Sequence, residues 1–249
     1  MNDIWFTSDT HFWHKNVIKY TRPQFSDVQE MNETLISNWN SVVKKEDLVY
    51  FLGDFSFCGT QKTIDILDRL NGQIHLIIGN HDRRMTNSVK SKFVWAKDLG
   101  ILKVDRPLYK GIIELCHFPF LSWASSYHGR YHFFGHTHGT LETRMLSLDV
   151  GVEKWNYFPV HLDILLQEML KKKERLKLIK ENEVNMDMDK IKESITRAVS
   201  KKVKEHFENI SCEEYEKMYA DIFAEVFKEV SEEVTKKMLT PKSEDEKKD

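Results

Sequence analysis

The chain has 249 residues, with 37 basic and 39 acidic side chains and a formal net charge of −2. That length suits one domain of ordinary size with an extension, and the near-neutral balance supplies no global field for a nucleic acid or an anionic membrane. Three widely spaced cysteines, Cys58, Cys116 and Cys212, form neither a disulfide framework nor a zinc-type pair.

From the N-terminus, Ile4–Ser8 reads as a strand and runs into Asp9-Thr10-His11. Arg22-Pro23 reads as a turn. Val28–Val43 then carries Met31, Leu35, Trp39 and Val42 or Val43 at helical spacing, with Ser26 or Asp27 as the N-cap. Leu48–Leu52 is the next strand and ends in Gly53-Asp54; a helix over Thr63–Leu70 follows, stopped by Asn71-Gly72. Ile74–Ile78 leads into Gly79-Asn80-His81-Asp82, Ile112–Cys116 into His117, and Tyr131–Phe134 into Gly135-His136-Thr137-His138. Leu146–Val150 closes the series. Strands alternating with helices predict an α/β class.

Near residues 165–172 the texture changes. All ten glycines precede residue 152, and the remainder is rich in Lys and Glu. Ile191, Ile195, Ala198, Val199, Val203, Phe207 and Ile210 share one helical face, and Tyr215 to Val234 supply another, with Ser211 three residues before Glu214 as a cap. The predicted division is a domain over 1–168, a helical extension over 169–240 and a disordered tail over 241–249. The basic run from Lys171 to Lys180 reads as a solvated helix face. The apolar stripes need burial, either against the first domain or between protomers; pairing between protomers, giving a homo-oligomer through the C-terminal helices, is the preferred route.

With no signal-peptide pattern at the start and no apolar run near the ~18 residues of a membrane span, the expectation is a soluble protein of the reducing cytoplasm without membrane contact. The chemistry is concentrated just past the strands. Five strands each end in oxygen or imidazole donors, and in open α/β sheets ligands bind beyond the carboxyl ends of strands. Two carboxylates, one amide and several imidazoles suit Mn²⁺, Fe or Zn²⁺ rather than Ca²⁺. The donors are too many for one tetrahedral ion and enough for two sharing a carboxylate, the clamp used for displacement at phosphorus.

Asp-x-His, Gly-Asp, Gly-Asn-His-Asp, His and Gly-His-x-His, in this order, resemble the calcineurin-like metallophosphoesterase family over residues 1 to about 165. The segments SDTHFWHKN and DVGVEKWNYFPV are similar to a small bacterial and phage branch of it. The resemblance implies a four-layer α/β/β/α sandwich with two mixed sheets, followed by the helical extension. It implies two divalent ions, Mn²⁺ first and Fe, Zn²⁺ or Ni²⁺ otherwise. Asp9, His11 and His138 would bind one ion, Asn80, His117 and His136 the other, and Asp54 would bridge them together with an attacking hydroxide. His81 would be no ligand and would assist the leaving oxygen.

The function implied is hydrolysis of a phosphate ester, with a phosphodiesterase on a nucleotide or small diester preferred. A nuclease on DNA or RNA, a phosphomonoesterase and a non-catalytic scaffold using the helical tail are the alternatives. The protein-phosphatase branch carries GDxxDRG; here Phe57 and Cys58 stand where its acid and arginine would, which argues against a phosphoprotein substrate. His14, Arg83 and His128 are further candidates for contact with substrate, whereas His132 reads as a strand residue.

Overall fold

In a computed structural model the chain is described over residues 2–206 and at Ala224 and Lys228. The first sheet is built from β1 (Ile4–Thr7), β2 (Leu48–Phe51), β3 (Gln73–Ile77), β4 (Trp95–Lys97) and β9 (Val160–His161), in the order β4-β3-β2-β1-β9. Its first four members are parallel and β9 runs antiparallel to β1. The second sheet has the order β5-β6-β7-β8, from β5 (Leu99–Arg106), β6 (Tyr109–Cys116), β7 (Tyr131–Phe134) and β8 (Ser147–Asp149). Only the β5–β6 pair is antiparallel. Both sheets are therefore mixed, and the fold is the α/β/β/α sandwich expected.

Four helices belong with the first sheet: α1 (Lys15–Thr21), α2 (Val28–Val42), α3 (Thr60–Leu67) and α4 (Asn87–Lys90). Helix α2 starts where its sequence says it should. The Asp27 carboxylate accepts from Glu30 N at 2.9 Å, and Glu30 reaches back to Ser26 N at 2.7 Å, so two orphan donors at the helix start are satisfied. Its buried residues Met31, Leu35 and Trp39 join Val49, Phe51, Ile74 and Leu76 of the sheet in one core. A second core lies between the sheets, where Phe6 and Leu52 meet Ile113, Leu115 and Phe133. The alternation of β1 and β2 follows from this, since successive side chains face opposite cores.

Helix α5 spans Leu162–His206, and its Leu162, Leu165, Leu166 and Met169 belong to the inter-sheet core. It runs unbroken through the position where the composition changes. The chain divides into two compact units, Met1–Leu176 and Lys177–Asp249. Within the second, the stripe from Ile191 to Val203 is helical as expected. Phe207 and Ile210, the cap at Ser211, the stripe from Tyr215 to Val234 and the expected disorder of 241–249 lie outside the described residues. No helix among the described residues is long and apolar enough to cross a membrane.

Some elements differ from expectation. Helix α3 begins at Thr60 rather than Thr63, directly behind Gly59. Helices α1 and α4 and strands β4, β5 and β9 were not foreseen. Parallel pairing of β1, β2 and β3 puts the carboxyl ends of three strands on one side, and the same holds for β6, β7 and β8. A parallel bridge between Ser8 and Gly151 ties the ends of the two sheets together.

Candidate metal centre

The loops beyond those strand ends converge. Asp9 follows β1, is fully buried, and accepts from Ser8 Oγ at 2.6 Å and His136 N at 2.9 Å through Oδ2. Asp54 follows β2, and its Oδ1 accepts from His81 N at 2.9 Å. Its Oδ2 lies 3.6 Å from His11 Nε2 and 3.4 Å from His117 Nε2. His117 Nε2 is also 3.1 Å from Asn80 Oδ1. Asp54 thus stands between two groups, one of Asp9, His11 and His138 and one of His117, His136 and Asn80. Donor atoms of Asp9, His11 and His138 lie within 4.8 Å of one another, as do those of Asp54, His117 and His136.

The backbone is bent to achieve this. Asp9, His11, Asp54, His136 and His138 all adopt positive φ, between 47° and 68°. Such conformations are uncommon for residues with a Cβ and cluster where a site demands them. Glycines carry the tightest approaches. Gly53 has a φ of 93°, and a Cβ there would meet His117 Nδ1 at 2.5 Å; a Cβ on Gly135 would meet Asp9 Oδ2 at 2.5 Å.

Asp9 Oδ1 and His11 Nε2 are buried without a hydrogen-bond partner and sit 3.9 Å apart. Buried polar atoms are normally paired, and leaving them unpaired costs free energy. Two lone-pair donors facing each other at that separation, with Asp54 Oδ2 beside them, fit a cation held at roughly 2.0–2.2 Å from each. Their hard-oxygen and imidazole character suits a divalent transition ion.

Three of the four candidate ligand imidazoles are oriented from behind. His117 Nδ1 is held by Leu52 O at 2.7 Å, His138 Nδ1 by Glu153 Oε1 at 2.6 Å, and His11 Nδ1 by His14 Nδ1 at 3.2 Å. Such bonds fix the tautomer and leave the other nitrogen for a ligand. Behind Glu153 lies Arg22, fully buried, whose Nε donates to Glu153 Oε1 at 2.9 Å and whose Nη1 donates to Thr10 O at 2.8 Å. Its Nη2 also donates to Asp9 O. The turn expected at Arg22-Pro23 is present, over Pro23 and Gln24, and the Arg22 side chain in addition ties the Asp9–His11 loop to the His138 loop.

Burial drives the electrostatics. It raises the Asp9 carboxyl to about 7 and lowers the His11 imidazole to about 2. Burial would raise Asp54 as well, but the hydrogen bond and charge of His117 outweigh it, and its pKa falls to about 2. Burial would lower His117, yet its bond to Asp54 and the nearby carboxylates hold it at about 9.

His81 sits at the mouth. Its Nε2 is 3.9 Å from Asp54 Oδ2, its side chain is about one third exposed, and it shares donor geometry with His11 and Asp54. Asp82 does not serve it. That carboxylate is buried and accepts from Asp54 N at 2.7 Å, Gly79 N at 2.9 Å and Phe55 N at 2.9 Å, stapling two loops together.

The other candidates scatter. His14 packs on His11 and stacks on Phe57 at 4.2 Å. Arg83 is exposed and points toward Asp98 at 3.8 Å. His128 is exposed in a short 3-10 turn over Ser126–His128. His132 is buried in β7, stacked on Phe120 at 4.7 Å, in keeping with a strand role. Arg22 and Glu153 are the residues sequence reasoning missed. A buried-pair signal could have come only from matching an arginine and a glutamate far apart in the chain.

Comparison with known proteins agrees with this geometry. A sequence model of a family described as calcineurin-like phosphoesterase matches residues 3–140. The protein MJ1445 of Methanocaldococcus jannaschii is 37% identical over 176 residues, 67% of this chain and 91% of its own length. The Gene 66 protein of Mycobacterium phage L5 is 29% identical over 62% of this chain and 88% of its own. Among solved structures, protein AQ665 of Aquifex aeolicus superposes with a TM-score of 0.52 at 28% identity, covering 65% of this chain and 96% of that one.

Proposed function

Since the chain belongs to the calcineurin-like phosphoesterase family, whose members are metal-dependent phosphoesterases, we propose that it hydrolyses a phosphodiester, a nucleotide or another small diester, at a dinuclear centre. Asp9, His11 and His138 would hold one ion, Asn80, His117 and His136 the other, with Asp54 shared. Bound divalent ions would neutralise phosphoryl oxygens and make water acidic enough to act at neutral pH, with Mn²⁺ our first choice. One observation carries the reading: the unpaired, buried Asp9 Oδ1 and His11 Nε2 face each other beside Asp54.

The remaining work falls to the chain itself. Glu153, Leu52 O and His14 keep His138, His117 and His11 in fixed tautomers and orientations. His81 is the imidazole at the open edge, where it can pass a proton to the departing ester oxygen. Asp82 holds Asp54 and the Gly79 loop in register. Cys58 and Cys116 are free thiols, as a reducing cytoplasm would keep them, and that is the compartment we assign.

The test is hydrolysis of bis(p-nitrophenyl) phosphate and p-nitrophenyl phosphate after chelation and return of Mn²⁺. The wild type should turn over the diester faster, and only with metal. His81→Ala should lose about 10²–10⁴-fold in kcat, and Asp54→Ala should lose turnover together with metal retention. Faster monoester cleavage would make the protein a phosphomonoesterase. Absence of turnover on either ester by the metal-loaded wild type would remove the proposal.

A further inference from the structure

Beside His81 lies a feature that the metal centre does not require. Phe57 is 52% exposed, although large aromatic side chains are normally buried. It is not loose: Phe57 N donates to Phe12 O at 2.7 Å, next to the bridge between Phe12 and Ser56. One face of its ring is covered by His14 at 4.2 Å and an interplanar angle of 18°. Its ring and that of His81 meet in a T-shaped contact at 5.2 Å and 70°. The exposure therefore belongs to the opposite face.

Phe57 also lines an open surface groove of about 460 Å³ together with Trp13, Cys58, Gly59, Thr60, Gln61 and Lys62. Trp13 forms the wall. Its φ is 65°, a costly conformation for a bulky residue, and its backbone N–H donates to Asn32 Oδ1 at 3.1 Å. Lys62 Nζ lies 4.3 Å from the centroid of the Trp13 ring, so the wall carries both a π-surface and a cation. Gln61 and Thr60 also line the groove, with Gln61 Nε2 donating to Asp65 Oδ1 at 2.8 Å and Thr60 Oγ1 lying 3.3 Å from Thr86 Oγ1.

We propose that this groove is a stacking subsite for a nucleobase, with Phe57 as its floor, joined to the centre through the contact of Phe57 with His81. The inference rests on the phosphoesterase reading for where the phosphate sits, and it narrows the substrate class to nucleotides. An aromatic floor takes any flat π-face, and a lining of ammonium, amide and hydroxyl groups matches the polar edge of a base better than an alkyl chain. Base-on-aromatic stacking of this kind corresponds to about 5- to 150-fold in affinity.

Calorimetry on the full-length, Mn²⁺-loaded protein tests it, using the non-hydrolysable phosphonate analogues of AMP and of ribose 5-phosphate. The wild type should prefer the AMP analogue by about 5- to 150-fold. Phe57→Ala should bring that ratio close to one, and Phe57→Trp should restore it. Phe57→Leu keeps an apolar side chain without a π-face, so it should also lose the preference; it carries the test if the alanine variant fails to fold. A wild-type ratio near one, or a ratio unchanged in Phe57→Leu, overturns the proposal, as does Phe57→Ala weakening both analogues equally. Because the readout is binding, the two readings fail separately. Diester hydrolysis without base preference removes the subsite alone, and base preference without hydrolysis removes only the enzymatic assignment.

Discussion

Arg22 and Glu153 form a buried pair directly behind the candidate metal centre. Arg22 is fully buried and its guanidinium Nη2 lies 2.8 Å from Glu153 Oε1, which also holds His138 Nδ1 at 2.6 Å. Burial would raise Glu153, but the His138 bond and the Arg22 charge hold it down at about 2. Breaking such a pair leaves a buried charge without its counterpart. Arg22→Met should therefore lower stability by about 3–5 kcal/mol, read from the urea midpoint. Glu153→Gln keeps the shape and removes the charge, so its effect belongs on the metal: affinity should fall about 10–100-fold in a metal titration with a competing chelator. Unchanged metal affinity in Glu153→Gln would show that the pair is a fold device only. The residues facing the centre were legible because the chemistry restricts them to carboxylate, amide and imidazole, and each stands directly behind a strand. Arg22 was not, because an arginine before a proline looks like any turn and its partner is 131 positions away.

At the level of elements, β7 carries a test that is independent of the metal. His132 is buried there, with Nδ1 held by Glu114 O at 3.1 Å and Nε2 accepting from Phe120 N at 3.3 Å. Burial lowers its pKa from the ordinary 6.5 to about 4. The unfolded chain takes up this proton below about pH 6.5, and the folded chain resists it until about pH 4. Stability is therefore full above pH 6.5, falls as the pH drops from 6.5 to 4, and levels off below, a loss of about 3 kcal/mol from this group. His132→Gln should flatten that part of the profile, seen as a smaller drop in Tm between pH 7 and pH 5 than the wild type shows. An identical drop would assign the acid sensitivity to other groups. The same strand was readable in the sequence because Tyr131–Phe134 is continuously apolar or aromatic and stops at a glycine. Strand β5 was not, because Leu99 and Ile101 are exposed while Leu102 and Val104 are buried, which blurs the alternation that marks a half-buried strand. Strands β4 and β9 are three and two residues long, too short for any periodicity. Helix α3 began three residues early because Gly59, behind which it starts, offers no side-chain cap to read.

For the molecule as a whole, the sandwich matters because it brings two sets of strand ends to one place. Neither sheet supplies all the donors: Asp9, Asp54 and Asn80 follow the first, and His117, His136 and His138 follow the second. A sequence shows that each loop bears a ligand type. It does not show that the bridge between Ser8 and Gly151 closes the two sheets onto each other, since that contact joins residues far apart in the chain. All these donors, and both cores that position them, lie within the unit Met1–Leu176. Stopping the chain after Leu176 should therefore leave Mn²⁺ affinity and turnover within about twofold of the full-length protein, because no candidate ligand and no residue of either core is removed. The remainder, Lys177–Asp249, is where the apolar stripes of the sequence need a partner. If they pair between protomers, light scattering should give a multiple of the monomer mass for the full chain and the monomer mass for the shortened one. A full-length monomer would remove oligomerisation as the role of the extension, and loss of metal binding in the shortened chain would show that the first unit depends on the second.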